Sequence, residues 1–364
     1  MMTNLRYNFG AGPAMLPTSI LQDVQAEFLD WQGHGLSIVE VGHRTEPFKA
    51  MLHQAELDLR ALIDIPPHYA VLFLAGSARA QFALLPLNLL AEGQTAGYWV
   101  SGMWSKMAYD ECVKIRRAYC LGSSESSHYQ TVPQTMTTPW TDNTAYVYYT
   151  PNETVNGVRY ASPPPSMGSP LVADMTSCFL SEPIRVEDFG VIFVGAQKNI
   201  APAGLTIVII REDLLSCIPE QTLPTMFDYR THVMHHSLYA TPPTFNCYVA
   251  AKVFQWVKAQ GGVSVLAQAN QHKASMLYHY IDTSDFYQCH IAPPARSRMN
   301  VCFSLTEPGL EAEFLREAMV HGLYGLAGHR AVGGLRASLY NAMPLSGVQA
   351  LLDFMIYFSD QHHA

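Results

Sequence analysis

Lys198 stands in the run Gly190-Val-Ile-Phe-Val-Gly-Ala-Gln-Lys-Asn-Ile-Ala-Pro-Ala-Gly-Leu-Thr-Ile-Val-Ile-Ile210, between two apolar, β-branched stretches. The stretches read as buried strands and 199–204 as the turn between them. A lysine there is costly unless it is paired or loses its charge. A neutral, desolvated amine is what Schiff-base chemistry with an aldehyde requires. The competing reading is a lysine that snorkels from a strand end to solvent. The other lysines, Lys49, Lys106, Lys114, Lys252, Lys258 and Lys273, are expected in polar or helix-like settings. Gly-His-Arg occurs twice, as Gly42-His43-Arg44 and Gly328-His329-Arg330. Arginine's planar fork suits phosphate and carboxylate, and the neighbouring histidine adds a donor. If the two tips meet they make a dianion site, with Arg336 left for a separate carboxylate. Coincidence between two surface turns is the alternative. His232, His235 and His236 are read as a solvated loop rather than a metal site, since no cysteine or second histidine cluster lies near.

The elements that must position these groups alternate between strand-like and helix-like. The run 70–75 leads into Gly76-Ser-Ala-Arg79 and then a helical pattern. Small residues at a helix start leave N–H groups free for an anion, although an ordinary N-cap by Ser77 explains the same pattern. Trp104, Thr154, Asp174 and Lys198 each follow a strand-like run, at 95–100, 145–150, 170–174 and 190–195. The pattern is α/β with a large, mostly parallel sheet, and ligands of such sheets sit beyond the carboxyl ends of the strands. Pyridoxal phosphate needs a lysine for its aldehyde, a carboxylate for its pyridine nitrogen, a phosphate turn and an aromatic face. Lys198, Asp174, the 76–79 turn and Trp104 would meet those needs. A strand-end turn former (Asp174) and core packing (Trp104) are the alternatives.

The 8–14 loop, rich in glycine and proline, suggests a close backbone approach. Ser19–Gln22 fits a capping box for a helix striped by Ile20, Leu21, Val24, Phe28 and Leu29 and stopped at Gly33. Residues 36–45 read as extended, and 47–62 and 244–259 as helices. The last hundred residues read as a smaller α+β unit: helix 263–280, strand 299–305, helix 310–321, strand 335–340 and helix 346–359. The expected division is a large domain over 16–260 and a small one from 1–15 and 261–364.

The 364 residues are 49% hydrophobic and 14% charged, with a formal net charge of −8. That balance fits a chain with a sizeable core and argues against nucleic acid or an anionic membrane as partner. Seven cysteines without CxxC pairs fit a reducing, cytoplasmic setting. No signal-peptide core, membrane-length apolar run or repeat is apparent.

The chain resembles the phosphoserine aminotransferase family, class V pyridoxal-phosphate enzymes of the aspartate-aminotransferase fold. The resemblance covers essentially its whole length. It is carried by Asn8-Phe-Gly-Ala-Gly-Pro-Ala-Met-Leu-Pro17, Gly42-His-Arg44, Ser101-Gly-Met-Trp-Ser105 and Pro151-Asn-Glu-Thr154. Gly195-Ala-Gln-Lys-Asn-Ile200, Thr241-Pro-Pro-Thr-Phe245, Arg296-Ser-Arg-Met-Asn300 and Gly328-His-Arg-Ala-Val-Gly-Gly-Leu-Arg-Ala-Ser338 complete it. It implies that Lys198 holds the cofactor aldehyde and moves the Cα proton. Asp174 would pair with the pyridinium, Trp104 stack on the ring and Thr154 bond the phenolic oxygen. Ala78, Arg79 and Gln197 would hold the cofactor phosphate, completed by Thr241 from the neighbouring subunit of a homodimer. His43, Arg44, His329 and Arg330 would hold the substrate phosphate and Arg336 the substrate carboxylate; no metal is implied. The implied reaction exchanges the amino group between phosphoserine with 2-oxoglutarate and 3-phosphohydroxypyruvate with glutamate, in serine biosynthesis. A second implied role is in pyridoxine biosynthesis. A desulfurase or lyase of the same fold is the alternative activity. The chain departs from the family at Ala240, where Asn is usual. Losing that hydrogen bond to a phosphate would cost about 1.5–3 kcal/mol of cofactor binding. It departs again at Gly76-Ser-Ala-Arg79, where the family is richer in glycine.

Overall fold

A computed structural model describes residues 6–218 and 222–362. In chain order the first elements are β1 (Tyr7–Asn8), α1 (Thr18–Glu27), α2 (Glu46–Ile63), β2 (Tyr69–Ala75), α3 (Gln81–Leu89), β3 (Thr95–Val100), α4 (Met103–Ile115) and β4 (Arg117–Ser123). Next come β5 (Thr144–Tyr149), β6 (Asn152–Glu153), β7 (Val158–Arg159), β8 (Leu171–Asp174), β9 (Val191–Gly195), β10 (Leu205–Arg211), α5 (Tyr229–Met234) and α6 (Thr244–Ala259). The last are α7 (Val263–Thr283), β11 (Tyr287–Gln288), β12 (Asn300–Leu305), α8 (Glu311–Val320), β13 (Leu323–Tyr324), β14 (Leu335–Ser338) and α9 (Leu345–His362).

The main sheet has the order β2-β10-β9-β8-β5-β3-β4. β10 runs antiparallel to both its neighbours, and the other pairs are parallel. Its strands are apolar on both faces because both faces are covered. Side chains alternate between the two sides. Val71, Phe73, Ile192, Val194, Ile207 and Ile209 join one core. Leu72, Leu74, Val191, Phe193, Val208 and Ile210 join the other. This is why the runs carry no polar alternation in the sequence.

A third core forms around the antiparallel sheet β11-β12-β14, with Phe303, Phe314, Leu277, Leu351 and Phe358 in it. Tyr7 and Phe9 belong to this core, since β1 pairs in parallel with β13. Helix α7 touches two cores: Val263 and Leu266 face the first, Leu277 and Ile281 the third. Among the described residues no helix is long and apolar enough to cross a membrane.

Three local expectations fail. Residues 36–45 are not extended but two consecutive turns, closed by Glu40 N–H to Ser37 O (2.9 Å) and Thr45 N–H to Gly42 O (3.0 Å). Their buried apolar residues, Ile38 and Val41, are three apart, a turn spacing rather than a strand spacing. No capping box forms at Ser19, because Pro17 is the N-cap and Ser19 already lies in the first turn. The helix ends at Glu27 rather than near Gly33, and of its stripe only Ile20 is buried, whereas Leu21, Phe28 and Leu29 are exposed.

Candidate active site

Lys198 lies in the connection between β9 and β10, beyond the carboxyl end of β9, and is 9% exposed. The snorkelling alternative is therefore wrong. The 8–14 loop closes over it: Ala14 N–H donates to Gln197 O at 3.0 Å, and a Cβ at Gly12 would sit 3.4 Å from Lys198 Cγ. Lys198 Nζ donates to Thr154 Oγ1 and lies 5.5 Å from the centroid of the Trp104 ring. Burial pushes its amine down to about 8; Asp174 and Glu153 pull it back, while Arg336 adds to the downward push. The neutral, nucleophilic form is thereby brought within reach of ordinary pH.

Asp174 ends β8 and is buried. Its Oδ1 accepts from Thr176 N–H at 3.0 Å. Burial raises its carboxyl, opposed by Thr176 and by the charge of Lys198. Trp104 is the second residue of α4, placed there by β3. Its ring carries the Arg79 guanidinium at 4.9 Å, and its Nε1 is buried with no protein partner. In the single 3-10 turn Ala78–Ala80 that leads into α3, Ser77 Oγ accepts from Arg79 N–H at 3.2 Å. The Ser77 cap forms, and the same turn lines the cavity.

One cavity gathers Ala78, Arg79, Trp104, Thr154, Asp174, Gln197 and Lys198. Thr150, Asn152, Thr176 and Ser177 also line it and went unread in the sequence, as did Glu153, buried just behind Thr154. Asn152 and Glu153 were visible only as members of the Pro-Asn-Glu-Thr motif. Arg336, on β14, adjoins the cavity: its Nη1 reaches Thr154 O at 3.5 Å, and its Nε is buried without a partner. His329 lines a neighbouring cavity with His128, Gln130 and His290. Burial lowers its imidazole, with Arg336, Arg330 and Arg79 pushing the same way.

His43, Arg44 and Thr241 are not in this constellation. Arg44 lines a different cavity with Lys49, His53 and Met234, and Thr241 is exposed. Among the described residues, no hydrogen bond, ion pair or ring contact joins one Gly-His-Arg tip to the other. Arg44 and His329 line different cavities.

Lys273 lies on α7, a helix-like setting as expected, yet it is 3% exposed and burial pushes its amine down to about 7. One further expectation needs correction. His232 is not in a solvated loop: it is buried on α5, with Nε2 3.0 Å from Met226 O. His235 and His236 are exposed.

The donor set fits pyridoxal phosphate. There is one lysine for an aldehyde, and Asp174 is a buried carboxylate with one oxygen tied to its own turn. Thr154 offers a hydroxyl against the lysine, and a helix start lies at 77–81. The unpartnered Thr150 Oγ1 and Trp104 Nε1 add buried polar atoms around that space.

A family model described as aminotransferase class-V matches residues 6–351. A phosphoserine aminotransferase of Legionella pneumophila is 55% identical over 361 residues, covering 99% of this chain and 100% of that protein. One from Nitrosomonas europaea is 46% identical over 363 residues, covering 98% and 99%. Among solved structures, the phosphoserine aminotransferase from Bacillus circulans subsp. alkalophilus is similar with a TM-score of 0.96 at 43% identity, covering 99% of this chain and 100% of that one. The PLP-bound phosphoserine aminotransferase from Trichomonas vaginalis gives 0.90 at 35% identity, covering 97% and 100%.

Proposed function

The chain belongs to the class-V aminotransferase family, and from that premise we propose that it works as a homodimeric phosphoserine aminotransferase. It transfers an amino group reversibly between O-phospho-L-serine with 2-oxoglutarate and 3-phosphohydroxypyruvate with L-glutamate, in L-serine biosynthesis. Its cofactor is pyridoxal phosphate, which when bound supplies a carbonyl to carry the amino group and a ring that accepts the Cα electrons. The observation that carries the reading is the meeting of Lys198, Thr154, Asp174 and Trp104 in one cavity, with Arg336 alongside.

In this proposal Lys198 bears the cofactor and then, as a free amine, holds and moves a proton at the substrate's Cα. Its depressed proton affinity suits that exchange near neutral pH. With the cofactor bound, Asp174 would keep the pyridine nitrogen protonated, Thr154 would bind the phenolic oxygen and Trp104 would cover the ring. Ala78, Arg79 and Gln197 hold the cofactor phosphate. Arg336 takes the substrate carboxylate, and His329 and Arg330 take its phosphate. His43, Arg44 and Thr241 are assigned to the active site across the dimer; in its own chain Arg44 lines another cavity and Thr241 is exposed. Plain serine is disfavoured because it would leave these cations unpaired. The proposal includes the same chemistry on 4-phosphohydroxy-L-threonine for pyridoxine synthesis. It divides the chain into a large unit (16–260) and a small one (1–15 with 261–364).

The test is a visible-absorbance titration of cofactor-loaded protein with phosphoserine, run beside plain serine. The band is expected to bleach with phosphoserine alone and to return on adding 2-oxoglutarate. Equal bleaching by both amino acids would remove the phosphate site. A band that no donor bleaches would remove the aminotransferase reading.

A further inference from the structure

Helix α4 carries Trp104 but does not cap itself. The N–H groups of Met103, Trp104 and Ser105 have no intrahelical acceptor, and the residue before them, Gly102, offers no side chain. A neighbouring segment supplies the cap. Asn156 Oδ1 accepts from Met103 N–H at 3.0 Å. Glu153 Oε2 accepts from Trp104 N–H at 3.0 Å, and Oε1 from Ser105 N–H at 2.8 Å and Ser105 Oγ–H at 2.6 Å. A Cβ at position 102 would lie 2.6 Å from Glu153 Cγ and Cδ, so this approach requires glycine there.

Glu153 is fully buried and, among the described residues, has no ion-pair partner. Ser105 Oγ accepts from the N–H groups of Ser101 (2.9 Å) and Gly102 (3.1 Å), and its own proton has two acceptors in reach, Glu153 Oε1 at 2.6 Å and Gly102 O at 3.1 Å. The N–H groups of Trp104 and Ser105 can only donate to the carboxylate, and with the short Ser105 hydroxyl contact they favour its ionised form. Thr154, the next residue, accepts from Lys198 Nζ. One short segment therefore holds both the aromatic face and the lysine of the site.

We propose that Glu153 is a positioning residue of the amino-transfer reaction: by accepting from the first N–H groups of α4 it fixes Trp104 over the reacting amine, and when ionised it adds negative charge beside Lys198. Burial pushes Glu153 up to about 7, with the three donors holding it down. The other titratable groups facing it are Asp174, Lys198 and the phenols of Tyr129, Tyr148 and Tyr160. The inference rests on Lys198 being the cofactor-bearing lysine.

The experiment compares Glu153→Gln, Glu153→Asp and Asn156→Ala in the cofactor-loaded protein. The readouts are the pH midpoint of the visible band and the cofactor Kd from tryptophan quenching. Glu153→Gln removes the charge and is expected to lower the midpoint by roughly half to one pH unit and to raise Kd about tenfold or more. Asn156→Ala removes a cap from the same turn without touching charge, and should leave the midpoint in place. Glu153→Asp keeps the charge with a shorter reach. It should hold the midpoint while weakening Kd, which keeps the proposal testable should the glutamine variant fail to fold. A midpoint unmoved in Glu153→Gln, or moved equally in Asn156→Ala, overturns the proposal alone. A wild-type band that persists unchanged in Lys198→Ala overturns the functional reading with it.

Discussion

Two lysines of this chain are buried to a similar degree and pushed in the same direction, yet only one can do chemistry. Lys198 is 9% exposed and lowered to about 8; Lys273 is 3% exposed and lowered to about 7. The difference lies in what surrounds the amine. Lys273 Nζ donates to Leu339 O (3.1 Å), Tyr340 O (2.8 Å) and Met343 O (2.9 Å), one acceptor for each of its protons. It ties α7 to the turn after β14; protonated, it has no lone pair to offer, and neutral, its lone pair is shut in among those carbonyls at 3% exposure. Three positions earlier, Asn270 donates to Asn341 Oδ1 in the same turn (2.8 Å), and Asn341 N–H donates to Asn199 Oδ1 (2.9 Å). Lys198 has one hydroxyl partner, an aromatic face at 5.5 Å and a cavity before it. Desolvation alone lowers a proton affinity; reactivity also needs an amine left unsatisfied and reachable.

The largest effect that would sharpen this contrast is on turnover. Lys198→Ala is expected to cost about 10⁴-fold or more in the rate of amino transfer, the upper range for losing a positioned acid–base group. The melting temperature should change little. Steady-state assay with phosphoserine and 2-oxoglutarate measures it, and a variant turning over at the wild-type rate would break the assignment. Lys273→Ala should do the reverse. Three carbonyls lose a donor, of which Tyr340 O keeps Met343 N–H, and a cavity opens, so stability should fall by roughly 2–5 kcal/mol, with kcat of the folded protein nearly unchanged. Denaturant melts and kcat on the same preparations separate the two. A Lys273→Ala protein that is stable but inactive would mean this lysine also serves the site.

The same contrast explains what could be read from the sequence. Lys198, Trp104, Thr154 and Asp174 were legible because each follows a strand-like run, and a parallel sheet places such positions on one edge. Lys273 was not, because its helix looks amphipathic with a lysine on it. Only its place on the stripe Leu266, Asn270, Lys273, Leu277 and Ile281 hinted at burial. Glu153 was hidden for another reason. Its partners are the N–H groups of a helix start 48 and 49 residues away in the chain, and backbone donors leave no mark in the residue pattern. The turns at 36–45 were misread because β-branched residues were weighed above spacing. The two Gly-His-Arg tips could be one site or two surface turns by sequence alone, and in the single chain Arg44 and His329 line different cavities.

The smallest effect is in the pH dependence of stability, and it tests whether Lys273 is desolvated as its surroundings indicate. Its folded proton affinity, about 7, lies below the unfolded value of about 10.4. The penalty for burying the charge is therefore full below about pH 7 and is relieved as pH rises toward 10.4. In that window the unfolded chain binds more protons than the folded one, so this lysine makes stability increase with pH by up to about 1.4 kcal/mol per unit. Buried thiols such as Cys178 and Cys302 are raised and act oppositely above about pH 8.5. The raw slope of the wild type is thus a mixture. The difference between wild type and Lys273→Met cancels those groups, and wild type should gain on the variant steadily from pH 7.5 to 9.5. Lys198 contributes the same sign from about pH 8 upward in cofactor-free protein, and Lys198→Met should remove that share in the same way. A flat difference for Lys273→Met would mean that the three carbonyls hold its proton against burial. Lys198 would then be the one lysine of the pair with a depressed proton affinity, and the two sites would differ in desolvation as well as in access.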